Sequence, residues 1–171
     1  QYLRYGYVPE PLSIFKKTYK LEPGYIIKFD KKNQILKKDY WDSIKSFVNA
    51  KKNKFKGTFE DAKEKVKRHI DYSIKNRLVS DVPLGIFLSG GIDSSNLVLS
   101  LHRQNITANT FSIGFHNNNN NEIDFANKVA KTLKTKHSYK YVNNKDCIEN
   151  IQSVVNAYDE PFSDPSQIPT Y

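Results

Sequence analysis

Apolar positions along the chain follow two rhythms, and the switch between them falls near Gly57. Before it, Gly24-Tyr25-Ile26-Ile27-Lys28-Phe29 alternates, polar Asp30 to Asn33 intervene, and Gln34 to Trp41 resumes the pattern. This predicts a β-hairpin. A lone hairpin does not hold a fold, so residues 1–42 read as the tail of a larger domain. Residues 43–57, rich in Lys and Asn, predict a linker or mobile surface segment. From there Phe59, Ala62, Val66, Ile70, Ile74 and Leu78 recur every three or four positions, which predicts a helix over 58–80. Thr58 and Asp61 have the spacing of a capping box at its start, with Asp in place of Glu or Gln. His69 beside that face reads as an ordinary surface histidine.

Beyond residue 80 short apolar runs alternate with helical ones. Strands are predicted at 84–88, 108–115 and 138–142, and helices at 94–104, 122–133 and 146–158. The helix at 122–133 presents Phe125, Ala126, Val129, Ala130 and Leu133; that at 146–158 presents Ile148, Ile151, Val155 and Tyr158. Such alternation implies βαβ units: an α/β fold with a parallel sheet and flanking helices. Its ligands bind outside the carboxyl ends of the strands. Asn117 to Asn121 offer no apolar partner and read as a solvated loop.

Composition narrows the classes. The net charge is +9, yet it comes from 23 lysines scattered in pairs and only four arginines. Arginine is the preferred reader of bases and phosphates, and no nucleic-acid-binding motif is present, so nucleic acid is not expected as a partner. The basic balance favours small anionic substrates. The single cysteine, Cys147, excludes an internal disulfide and reads as a small buried hydrophobe. No apolar run is long enough to span a bilayer. A cytoplasmic protein with no membrane partner is expected.

The candidate chemistry sits where the first predicted strand ends. Residues 84–95 read Leu-Gly-Ile-Phe-Leu-Ser-Gly-Gly-Ile-Asp-Ser-Ser. Strand, glycine-rich turn and helix start form an anion cradle, because free amides and the helix dipole converge there. Ser89, Gly90, Gly91, Ser94 and Ser95 supply amides, hydroxyls and close approach. Asp93 puts a carboxylate among phosphates, which makes sense when Mg²⁺ bridges them. No lysine follows the glycines, so this is not the loop of γ-phosphoryl transfer. Ser-Gly-Gly-x-Asp-Ser-Ser arises by chance about once in 10⁷ start positions.

The loop resembles the pyrophosphate loop of the N-type ATP pyrophosphatases, of the adenine nucleotide alpha hydrolase-like fold. Three blocks narrow the resemblance. Leu3 to Phe15 with Tyr19 to Tyr25, Asp81 to Gly85, and Tyr158-Asp159-Glu160-Pro161-Phe162-Ser163-Asp164-Pro165-Ser166-Gln167-Ile168-Pro169-Thr170-Tyr171 are similar to glutamine-hydrolysing asparagine synthetases. The resemblance implies that 1–42 ends an Ntn-type glutaminase domain, that 43–57 is a linker, and that 58–171 begins the synthetase domain. It implies ATP and Mg²⁺ as cofactors, adenine contacts from Phe87, Leu88, Ile113 and Gly114, and Asp93 as the metal ligand. Glu160 becomes a candidate near the acceptor. The implied reaction makes asparagine from aspartate through β-aspartyl-AMP, with ammonia from glutamine, in a full-length protein that can be a homodimer.

Some family features are missing. A Ser-Gly-Asp/Glu-Gly-x-Asp-Glu motif and an N-terminal catalytic cysteine do not occur in these residues, so the 171 residues alone are expected not to complete catalysis. Where the family often has Gly-Thr-x-His-His-Glu, the chain has Lys134-Thr135-Lys136-His137-Ser138-Tyr139; His137 reads as a surface or strand-edge residue. Pro165 stands where a small residue is commoner. Rival readings are an acyl-adenylating amidotransferase for a polysaccharide or natural-product carboxylate, a nucleobase- or tRNA-modifying pyrophosphatase, and a non-catalytic nucleotide-binding module.

Overall fold

The computed structural model describes residues 1–31, 35–115 and 122–171. The asparagine run at 117–121 therefore lies outside the described residues. The chain forms two compact units, Gly57–Asn150, and Gln1–Lys56 together with Ile151–Tyr171.

In the unit Gly57–Asn150 three parallel strands lie in the order β3 (Gly85–Phe87), β4 (Asn109–Phe115), β5 (Lys136–Val142). Ile86 pairs with Thr110 and Thr110 with His137, so these share one sheet face. Helices α3 (Phe59–Lys75), α4 (Ile92–Arg103) and α5 (Glu122–Thr132) flank the sheet, as the α/β expectation required. Leu88, Val98, Leu101, Ala108, Ala126 and Ala130 form the buried core, with Ile74, Leu78 and Ile86 against it. Alternation on β4 is strict: Thr110, Ser112 and Gly114 are buried, while Phe111 and Phe115 are exposed. Gly114 makes room for α5, since a Cβ there would fall 2.4 Å from Ile123 Cδ1.

Helix α3 starts at the expected capping box. Thr58 accepts from the Asp61 N–H at 3.1 Å, and Asp61 accepts from the Thr58 N–H at 2.9 Å. It ends at Lys75 rather than 80, where tighter i→i+3 bonds from Arg77 and Leu78 close the last turn. Its apolar face is used mainly toward that end: Ile70, Ile74 and Leu78 are half-buried, as is Ala62, whereas Phe59 and Val66 are exposed. His69 is exposed, as expected. The buried hydroxyl of Ser100 on α4 donates to Asp71 on α3, and Arg103 donates to the same carboxylate at 2.5 Å. Arg103, then Ser100, hold the Asp71 carboxyl below its ordinary range.

Helix α6 (Asn144–Ala157) opens on a reciprocal pair, Asn143 N–H to Asp146 at 2.9 Å and Asp146 N–H to Asn143 at 3.0 Å. Its face is rotated from the expected one. Val154 is buried and Cys147 half-buried, while Ile148, Ile151 and Val155 are exposed. Cys147 is thus not a fully buried hydrophobe.

In the other unit the expected hairpin is present, β1 (Tyr25–Phe29) antiparallel to β2 (Ile35–Asp39). Within the expected linker, α2 (Ser43–Lys52) is a regular helix capped by Asp42, which accepts from the Lys45 N–H at 2.8 Å. An N-cap Asp before Ile44, Phe47 and Val48 was the signal for it. Two four-residue helices, α1 (Tyr2–Tyr5) and α7 (Gln167–Thr170), lie at the chain ends.

Candidate functional site

The strand β3 runs straight into the glycine-rich turn. The Leu88 N–H donates to the Phe111 carbonyl at 2.8 Å, and Ser112 donates its hydroxyl to the Leu88 carbonyl. Leu88 is also 1% exposed, so both its main-chain groups and its side chain are committed to the core. Alternation along a parallel strand turns the neighbouring amide and carbonyl of Phe87 toward the opposite edge. The Phe87 ring is exposed.

Ser89, Gly90 and Gly91 then reverse the chain into α4. The turn is closed by its own serines: the Ser89 and Ser94 hydroxyls lie 3.0 Å apart, the Gly91 N–H donates to Ser89 Oγ at 3.3 Å, and Ser94 Oγ donates to the Gly91 carbonyl at 3.3 Å. Gly91 is the N-cap of α4, so the helix begins two residues before the expected Ser94 and Asp93 falls in its first turn. The free amides of that turn and its dipole make the end of α4 electropositive.

Gly90 is set by two requirements. Its φ is +78°, a conformation that L side chains avoid, and a Cβ would stand 2.5 Å from Phe125 Cβ and 2.6 Å from the Ala126 nitrogen. The first turns of α5 therefore press on the loop. Gly91 differs, because a Cβ there would meet only Ser89 Oγ at 3.3 Å. The part of α5 in this contact was not identified by periodicity, which marks faces but not which neighbour a face meets.

The expected phosphate residues Ser89, Gly90, Gly91, Asp93, Ser94 and Ser95 are all in this one turn. Asp93 is exposed and has no hydrogen bond or ion pair among the described residues. Ser95 Oγ is buried with no hydrogen-bond partner among the described residues. Among the described residues no group of three or more metal-ligating side chains is present. A single free carboxylate beside hydroxyls and amides suits Mg²⁺, which keeps most of its shell in water and phosphate oxygens. Ile113 and Gly114 lie near the carboxyl end of the adjacent strand β4, Gly114 beneath Ile123.

His137 lies on the edge strand β5, with Nδ1 2.9 Å from the buried Thr110 hydroxyl, itself 2.8 Å from Thr135 Oγ1. Burial pushes its pKa down. It is a strand-edge residue in a structural network, at the opposite end of the sheet from Ser89.

Glu160 belongs to the other unit. Its carboxylate pairs with Lys20 and accepts the Ile14 N–H at 3.1 Å. The Lys20 ammonium, then the Ile14 amide, hold its pKa below the usual carboxylate range. Lys20 went unrecognised in the sequence, since 140 residues separate the partners.

No helix among the described residues is long and apolar enough to cross a membrane. The family model described as asparagine synthase matches residues 65–171. A putative glutamine-hydrolysing asparagine synthetase of Methanocaldococcus jannaschii is 37% identical over 99% of this chain and 32% of its own length. Asparagine synthetase (glutamine-hydrolysing) 1 of Bacillus subtilis is 31% identical over 100% of this chain and 26% of its own. Amidase chyE of Penicillium rubens is 32% identical over 56% of this chain and 14% of its own. The chain thus spans about a third or less of the length of these relatives.

Proposed function

Because this chain belongs to the asparagine synthase family, we propose that the Ser89–Ser95 turn binds the phosphates of ATP in a glutamine-dependent asparagine synthetase. The observation that carries this is the turn itself: a serine-closed, lysine-free cradle at the end of a parallel strand, with Asp93 unpaired in the first turn of the following helix.

In the reaction we assign, a side-chain carboxylate oxygen of aspartate forms a bond to the α-phosphorus. The bond from that phosphorus to the bridging oxygen breaks, and pyrophosphate leaves. Ammonia then attacks the acyl carbon, loses a proton and expels AMP. The turn's task is to hold the leaving pyrophosphate. Its amides and the hydroxyls of Ser89 and Ser94 face charge that grows as the bond breaks, and the buried Ser95 hydroxyl, unpartnered among the described residues, is a further donor for the same anion. Mg²⁺, when bound, supplies further neutralisation of that charge, and Asp93 is the residue that would hold it. For adenine we assign the exposed Phe87 ring and the main chain of Ile113 and Gly114 near the carboxyl end of β4. Leu88 contributes by fixing the strand end.

Residues 1–42 we assign to the end of the glutaminase domain, joined through 43–57 to the synthetase part at 58–171. The 171 residues by themselves are expected to bind ATP and not to complete the reaction, given the length of the relatives. A second reading keeps the same adenylation chemistry on a different carboxylate, since the turn at Ser89–Ser95 holds phosphates and does not read the acceptor.

The test uses the full gene product with ATP, Mg²⁺, aspartate and either glutamine or ammonium. Equal amounts of asparagine, AMP and pyrophosphate are expected. AMP formed only with a different carboxylic acid would move the assignment to the second reading. No ATP cleavage under any of these conditions would make the domain a binding module.

A further inference from the structure

The loop Tyr158–Gln167 is fastened by residues far earlier in the chain. Lys20 pairs with the Glu160 carboxylate and also donates to the Val8 carbonyl at 2.6 Å. The Ile14 N–H donates to Glu160 Oε2, and the Ser163 N–H donates to the Gly6 carbonyl at 2.6 Å. Gly6 has φ +77°, and a Cβ on it would press against Ser163 Cβ at 3.0 Å, so the close contact needs glycine. Within itself the loop is cross-linked: Gln167 Nε2 donates to the Phe162 and Asp164 carbonyls, and Phe162 meets Tyr158 edge to face. It is thus braced internally, and its outer fastening is at Glu160 and Ser163.

The two ends of this fastening belong to different parts of the chain. The loop falls within the family-matched residues, and Gly6, Ile14 and Lys20 all precede them. Lys20 and Glu160 keep only 26% and 20% of their side-chain surface, so their pair is shielded better than an ordinary surface pair. A cavity of about 560 Å³, walled by Phe15, Thr18, Tyr158, Asp159 and Phe162, lies beside the pair.

We propose that Glu160 is a positioning residue: through Lys20 and Ile14 it latches the 158–167 loop to the N-terminal segment and couples nitrogen supply to the acceptor side of the reaction. This rests on the reading of residues 1–42 as the end of a glutaminase domain. Both oxygens of Glu160 face this segment, so its role is exerted through the loop and not by touching substrate.

The experiment measures glutamate released per asparagine formed by the full gene product. Glu160→Gln and Lys20→Met are the single variants, and Lys20→Glu with Glu160→Lys is the exchanged pair. The ratio should rise at least about threefold in each single variant and return at least about halfway in the exchanged pair. Amide exchange of segment 158–167 should speed up about tenfold in both single variants, as expected when one charge-assisted bond is lost. An unchanged ratio in both single variants, or no return in the exchanged pair, overturns the positioning role. If the unaltered protein makes no asparagine from glutamine or ammonium, the glutaminase–synthetase reading fails instead. The latch is then judged by exchange alone: faster exchange in both variants supports it, and unchanged exchange overturns it.

Discussion

The turn at Ser89–Ser95 and the loop at Tyr158–Gln167 differ in how far their tethers reach along the chain. The first is closed by bonds between residues no more than five apart, and its outside contact is the backbone of α5 on Gly90. The second is fastened by partners 140 to 157 residues away, Lys20, Ile14 and Gly6. A cradle made of local bonds is pre-formed and costs little to order when ligand arrives. A loop held by distant partners responds to what happens to those partners. The first suits a fixed electrostatic task, the second a coupled one.

The sharpest break between charge and scaffold in the turn comes from Asp93→Asn. Asp93 makes no hydrogen bond or ion pair with a described residue and adds only its charge to the first turn of α4, so the loss of stability should stay within about 1 kcal/mol. ATP cleavage by the full gene product should nevertheless fall by about 100-fold or more, measured as AMP release. Gly90→Ala tests the scaffold instead. A left-handed backbone and the collision with α5 together should cost about 2–4 kcal/mol, read as a fall in melting temperature of roughly 5–15 °C. Gly91→Ala, where a Cβ would meet only the Ser89 hydroxyl at 3.3 Å, should cost less than about 1 kcal/mol. Equal losses at the two glycines would mean that α5 does not brace the turn.

A smaller effect concerns the far end of α4, where Asp71 receives Arg103 and Ser100. Its carboxyl titrates below the ordinary value of 3.8 in the folded chain, so the unfolded chain takes up the proton first. The stability this adds is present above that value and is lost as pH falls through the folded one. The gap in denaturation midpoint between the wild type and Asp71→Asn should therefore be open at neutral pH and close in strong acid. A gap that stays constant down to strong acid would show that the carboxylate charge does not clamp α3 to α4.

Local rules reached as far as local causes did. The hairpin, the capping box at Thr58 and the three parallel strands follow from turn chemistry, capping and periodicity, which act over a few residues. The strand-to-helix turn at Ser89–Ser95 was legible for the same reason, since its closing bonds lie within seven positions. The helix at Ser43–Lys52 was hidden by its lysines and asparagines, although Asp42 and the spacing of Ile44, Phe47 and Val48 announced it. The face of α6 was misjudged by about one position, because an apolar stripe of Ile148, Ile151 and Val155 competes with Val154 and only packing chooses. Lys20 with Glu160, and Gly90 with Phe125, are tertiary contacts with no local signal.

The measurement that reaches the central claim most directly follows oxygen. The full gene product is supplied with ATP, Mg²⁺, glutamine and aspartate carrying ¹⁸O in its side-chain carboxylate, and AMP is analysed by mass spectrometry. Transfer through an acyl-adenylate predicts AMP that carries one ¹⁸O, formed together with unlabelled pyrophosphate. Unlabelled AMP, or ADP with the label in inorganic phosphate, would contradict the assignment of the Ser89–Ser95 turn as a pyrophosphate cradle for carboxylate adenylation.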